Sequence, residues 1–240
     1  MALLEVRGLS KRFGGLAAVS RVEFDVAAGE LLGIIGPNGA GKTTLFHLIA
    51  GHHRPTAGDV RFDGRTIIGL RPHAVCRLGI ARTFQIVQPF PGLTVLANVM
   101  VGAFTRVREV GAAREGALRA LAFVGLAAKA EHEARTLTLA ERKRLEVARA
   151  LATRPRVLLL DEVMAGLGPA EVATMMGLCR QLRAEGLTVL VIEHVLRAVM
   201  ALSDRIVVLD HGEKIAEGPP EAVARDPRVI EAYLGSARAE

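Results

Sequence analysis

Tryptophan is absent from this 240-residue chain, tyrosine occurs once, and aromatic residues make up only 4% of it. Proteins that read single-stranded nucleic acid stack its bases on aromatic side chains, and too few are present to build such a platform. Cysteine is scarce as well: Cys76 and Cys179 stand far apart without metal-ligand spacing, which excludes a disulfide scaffold or zinc site and suits a reducing compartment. No apolar run crosses a bilayer length unbroken, because the longest uncharged stretch, residues 83–105, contains Gln85, Gln88, Pro89, Pro91, Gly92 and Asn98. The opening MALLEVRGLSKRF lacks the apolar centre of a secretory signal and reads as a strand, so a cytosolic chain is expected. Internal repeats and low-complexity linkers are also missing.

What is present is the composition of a globular protein. Half the residues are apolar and 23% are charged, enough for one large domain, or two small ones, with a real core. The 31 basic and 25 acidic residues leave a net charge of +6, which attracts polyanions without choosing among them. No specific nucleic-acid partner is expected.

Residues 3–6 and 22–26 alternate as edge strands do, and residues 31–35 form a short apolar run that ends at glycine. A glycine-rich segment follows, then Leu45, Leu48 and Ile49 at helical spacing. Residues 70–150 read mainly as helices, with ends at Gly125 and Pro155, forming a helical insertion. From Arg156 the pattern alternates: strand 157–160, helix 169–185, strand 188–192, helix 195–201, strand 205–209. That is an α/β winding with parallel strands. Asp210-His211-Gly212 turns the chain into a short strand at 214–216, and Pro219-Pro220 opens a helical tail.

The segment Gly36-Pro37-Asn38-Gly39-Ala40-Gly41-Lys42-Thr43-Thr44 matches G-x-x-x-x-G-K-[ST] between a strand and a helix, the order a phosphate-binding loop requires. Glycine lets successive N–H groups face one anion, and the helix N-terminus adds its positive end. Lys42 is placed to reach the β- and γ-phosphates of a nucleotide, and Thr43 to give its hydroxyl to Mg²⁺. Strand 157–160 ends in Asp161-Glu162. Two acids at the carboxyl end of a buried strand fit a metal-holding Asp161 and a Glu162 that acts on an attacking water. Strand 188–192 ends likewise, in Glu193-His194, where His194 can meet the γ-phosphate and the catalytic carboxylate.

Together the loop at Gly36, Gln85 after Arg-Thr-Phe, the Leu-Leu-Leu-Asp-Glu strand end and Ile-Glu-His resemble the ATPase subunit of an ATP-binding cassette transporter, over nearly the whole chain. The resemblance implies one domain over residues 1–240. Its fold would be an α/β P-loop core with an antiparallel β subdomain, a helical subdomain near 80–155 and a tail near 218–240. It also implies that Phe13 stacks on adenine, that Gln85 senses Mg²⁺ and the attacking water, and that His194 is a switch histidine. Residues 79–85, 93–99 and above all the tail 226–235 resemble branched-chain amino acid importers. Such importers pair two ATPases with two membrane-spanning permeases and an external substrate-binding protein, which places the chain on the cytoplasmic face of the membrane. Uptake of amides, urea or aromatic acids by the same architecture stays open. So do a soluble P-loop ATPase or phosphotransferase and a cassette acting on nucleic acid.

Two segments depart from that family. Its Leu-Ser-Gly-Gly-Gln signature reads Leu137-Thr138-Leu139-Ala140-Glu141 here, without either glycine. Thr138 can still offer a hydroxyl to the γ-phosphate in trans, while Thr138 and Glu141 equally form an S/T-x-x-E capping box. The segment Ala165-Gly166-Leu167-Gly168 stands where the family usually ends in Asp. Both segments act, by the resemblance, on ATP held by the opposite subunit, so a heterodimer with a second ATPase is expected and a homodimer is the alternative. The apolar stretch 86–96, with Val87 and Phe90, is the candidate contact with the permease.

Overall fold

The structure is a computed structural model that describes residues 2–83 and 89–236, with side chains described as far as Tyr233. In chain order it has strands β1 (Ala2–Phe13), β2 (Leu16–Ala27) and β3 (Leu31–Ile35), helix α1 (Lys42–Ile49), strands β4 (Ala57–Phe62) and β5 (Arg65–Thr66), helix α2 (Pro72–Leu78) and strand β6 (Ile80–Arg82). Helices α3 (Val95–Ala103), α4 (Val110–Phe123) and α5 (Leu139–Ala152) come next. The second half winds through β7 (Val157–Asp161), α6 (Pro169–Ala184), β8 (Thr188–Ile192), α7 (Leu196–Leu202), β9 (Arg205–Asp210) and β10 (Glu213–Gly218). It ends in α8 (Pro220–Val223) and α9 (Pro227–Ser236).

Every residue of β3, β7 and β8 is buried, as expected of strands covered on both faces. They belong to a six-stranded sheet ordered β10-β9-β3-β8-β7-β6, parallel except for β10. Alternation along β7 divides the core: Leu158 and Leu160 pack toward the helical side, whereas Val157 and Leu159 pack toward α1 and a second sheet. That second sheet is antiparallel, ordered β2-β1-β4-β5. It packs Val6, Phe24 and Phe62 on the same core as Phe46 of α1.

Helices α3 to α5 form the remaining lobe, and each begins on a side-chain cap. Thr94 accepts from Ala97 N–H, Glu109 from Gly111 and Ala112 N–H, and Thr138 from Glu141 N–H. The fully buried Asn98 clamps the chain entering α3: its Oδ1 accepts from Phe90 N–H at 2.8 Å and its Nδ2 donates to Thr94 O at 2.9 Å.

Two sequence expectations need correction, and one strand lay outside them. Residues 80–82, read as the start of the helical region, are a strand of the main sheet, paired with β7. Strand β1, read as an edge, lies between β2 and β4. Strand β4 was not anticipated: two glycines, Gly58 and Gly64, interrupt the apolar pattern around it, and Gly58 is required because a Cβ there would lie 2.4 Å from Gly8 O.

Candidate active site

The phosphate loop is held by close backbone approaches that only glycine permits. A Cβ on Gly36 (φ +151) would lie 2.0 Å from Leu209 O, and one on Gly41 (φ +96) 2.2 Å from Ala18 O. The loop is thereby seated between β9 and β2. Lys42 is buried, and its Nζ donates to Gly36 O at 2.7 Å and Pro37 O at 2.8 Å. Burial pulls the Lys42 pKa below its ordinary value, against the opposing pull of Glu162 and Asp161. Asn38, Gly39, Ala40, Gly41, Lys42, Thr43 and Thr44 line a cavity of about 570 Å³ whose far walls are Phe13, Glu162 and His194. Gly36 and Pro37 are not among the lining residues; their carbonyls are engaged by Lys42. Phe13 is 45% exposed, and Lys11 Nζ sits 4.9 Å from its ring centre.

Glu162 follows β7 and takes a left-handed backbone, φ +51, which is uncommon for a residue with a β-carbon. Its N–H donates to Ile192 O at 2.9 Å, and its carbonyl accepts from Lys143 Nζ at 2.5 Å. Its Oε1 lies 2.8 Å from His194 Nε2 at the rim of the cavity. Asp161 sits behind that rim with no exposed side-chain surface; Arg82 Nη2 donates to its Oδ2 at 2.6 Å. Burial raises the Asp161 pKa, the Arg82 ion pair opposes that, and Glu162 adds to the rise.

The oxygen chemistry suits a hard cation. Asp161 Oδ1 is buried without a hydrogen-bond partner among the described residues, and Thr43 lines the cavity. No group of three His, Cys, Asp or Glu among the described residues could hold an ion by itself, so phosphate and water would complete the shell of any ion bound here. Gln85 lies outside the described residues, as does Val87.

The structure therefore gathers Phe13, residues 38–44, Glu162 and His194 around one cavity, with Asp161 just behind it. Thr138 and Glu141 stand apart as a capping box: Glu141 Oε2 accepts from Thr138 N–H at 3.0 Å, and Thr138 Oγ1 from Glu141 N–H at 3.3 Å. Leu139 is 44% exposed and reaches Gly166, where a Cβ would lie 3.3 Å from Leu139 Cδ2. Ala140 and Leu167 line a smaller cavity with Thr138 and Glu141. The two departures from the family pattern are thus neighbours in space. Sequence reasoning gave no role to Arg82, Lys143 or Glu193, whose partners at this site lie 79, 19 and 29 residues away.

The profile of a family described as ABC transporter matches residues 19–165. This chain belongs to the ABC transporter ATP-binding family. A second profile, described as branched-chain amino acid ATP-binding cassette transporter, matches residues 213–239. The high-affinity branched-chain amino acid transport ATP-binding protein BraF of Pseudomonas aeruginosa is 42% identical over 98% of each chain. LivG of Escherichia coli, with the same description, is 39% identical over 98% of each. Among solved structures, a nucleotide-free ATP-binding cassette from an ABC transporter superposes with TM-score 0.89 at 32% identity, covering 97% of this chain and 99% of that one. An ADP conformation of such a cassette gives 0.89 at 32% identity, with 98% and 99% covered.

The cassette is therefore a nucleotide-binding ATPase subunit of a transporter. The soluble phosphotransferase and the nucleic-acid cassette are set aside. No helix among the described residues is long and apolar enough to cross a membrane.

Proposed function

We propose that this cassette hydrolyses ATP to drive import of branched-chain amino acids or closely related amides, from the cytoplasmic face of the membrane. The observation that carries the hydrolytic part is the 2.8 Å contact between His194 Nε2 and Glu162 Oε1 at the mouth of the glycine-cradled cavity. The N–H groups of residues 38–44 receive the phosphates, and Lys42 exchanges the carbonyls of Gly36 and Pro37 for β- and γ-phosphate oxygens. Phe13 stacks on adenine. Thr43, Asp161 and Gln85 would hold Mg²⁺, which when bound would neutralise phosphate charge. Glu162 aims a water at the γ-phosphorus and takes its proton, while His194 holds the Glu162 carboxylate and hydrogen-bonds the γ-phosphate.

The amino acid part is supported by the match at residues 213–239 and by the names of the relatives. The assembly proposed is two permeases, two ATPases and an external binding protein that alone touches the solute. The second ATPase is a different chain with an intact signature, because Leu139, Ala140 and the 165–168 loop would weaken the site this subunit completes in trans. Phe90, 44% exposed with the Arg149 guanidinium 5.2 Å from its ring, contributes to the permease contact.

A tagged Glu162→Gln chain, trapped with MgATP in its native host and extracted in mild detergent, tests the reading. Two permeases and a second ATPase should co-purify, with turnover reduced at least about a hundredfold. A lone chain with undiminished turnover would refute it.

A further inference from the structure

Three consecutive residues at the end of β8 grip the turn that carries Glu162. Ile192 O accepts from Glu162 N–H at 2.9 Å, Glu193 Oε1 accepts from Met164 N–H at 2.6 Å, and His194 Nε2 meets Glu162 Oε1 at 2.8 Å. The middle contact has no counterpart in phosphate binding. Glu193 is 2% exposed, is not among the residues lining the nucleotide cavity, and its Oε2 has no hydrogen-bond partner among the described residues. A carboxylate is expensive to bury, so its presence calls for a compensating contact.

That contact is the turn itself. A left-handed residue with a β-carbon costs about 1 kcal/mol or more and persists where its surroundings over-determine it. At Glu162 the N–H is tied to β8 and the carbonyl to Lys143 of α5, which also offsets the Glu193 charge. Met164, 1% exposed, carries the next tethered donor along the turn, and Glu193 takes it.

We infer that Glu193 is a positioning residue: by accepting from Met164 N–H it fixes the 162–164 turn and so aims the Glu162 carboxylate, while joining that turn to the backbone that presents His194. This rests on the hydrolytic role proposed for Glu162.

The test uses the full-length chain with Glu193→Ala and Glu193→Gln, reading amide hydrogen exchange across residues 162–168 in the chain and steady-state MgATP hydrolysis in the complex co-purified with its permeases and second ATPase. In the alanine variant, exchange at Met164 should rise at least about tenfold and kcat fall about tenfold, with KM for ATP within about twofold. Glutamine keeps an acceptor oxygen and should restore both. Should the alanine chain fail to fold, Glu193→Met keeps the volume without the acceptor and carries the same expectation. Unchanged exchange and kcat in a folded acceptor-less variant would overturn the proposal, as would a glutamine variant no better than alanine, or a rise in KM with kcat intact. Absence of turnover in the assembled complex carrying the unmodified chain would instead sink the hydrolytic reading, whatever the exchange data show.

Discussion

Arg82 Nη2 and Asp161 Oδ2 meet at 2.6 Å inside the protein, their side chains 5% and 0% exposed. The pair joins the edge strand β6 to the end of β7, directly beside Glu162. Removing one partner of such a pair leaves an uncompensated buried charge, whereas removing both need not. Arg82→Met should therefore lower unfolding stability by about 3 kcal/mol in a urea titration, and Arg82→Met with Asp161→Asn should recover part of it. A single variant as stable as the parent would show that water reaches Asp161.

Glu193 gives the stability a pH dependence. Burial, only partly opposed by the Met164 hydrogen bond and by Lys143, pushes its pKa from 4.5 up to about 7. The folded state thus binds a proton that the unfolded chain has released, so this contribution is complete below about pH 4.5, declines as pH rises toward 7 and stays lost above it. Glu193→Gln does not titrate. Its stability relative to the parent should rise between pH 5 and pH 8, by about 3 kcal/mol at most. A constant difference across that range would mean that Glu193 ionises normally.

At the start of α5 the cap and the clamp make separable demands. Thr138→Ala removes the oxygen that receives Glu141 N–H and should cost about 1 kcal/mol of stability. Leu139→Gly with Ala140→Gly also weakens the helix, by up to about 1 kcal/mol each, yet lets the backbone approach a phosphate. In a complex whose own Glu162 is changed to Gln, the ATP held by the proposed partner should be the one still hydrolysed. The double glycine variant should raise that residual turnover several-fold; no gain would show that the missing glycines do not limit the rate.

Gly41→Ala should abolish nucleotide binding in an equilibrium titration with a fluorescent ATP analogue. Its Cβ would meet the backbone of β2, at Ala18 O, in a conformation already unfavourable for alanine, so the loop must move. Gly39, also left-handed at φ +79 but with open space around it, should tolerate alanine with a smaller loss. Equal losses at the two positions would point to strain alone rather than to the seating of the loop on β2.

Features that are local in the chain were legible before the structure. The phosphate loop, Asp161-Glu162 and the winding after Arg156 announce themselves within a few residues, through glycine spacing and period. Strand β6 did not, because three residues carry no period and the neighbouring helices dominate the pattern. The supports of Glu162 were hidden for another reason: Lys143 reads as one more helix cation and Glu193 as a residue beside a histidine, until the fold brings both to one turn. Gln85 remains a sequence inference alone.

The position of β3 also constrains when the site comes into being. Its neighbours in the sheet are β8 and β9, so the strand that feeds the phosphate loop is made within the first 35 residues but has no partner until residues 188–210 exist. During synthesis the chain appears N-terminus first, so most of it must be made before β3 can be enclosed. The nucleotide site is thus encoded early and completed late. A nascent cassette cannot spend ATP, and any truncation that removes β9 takes the phosphate loop with it.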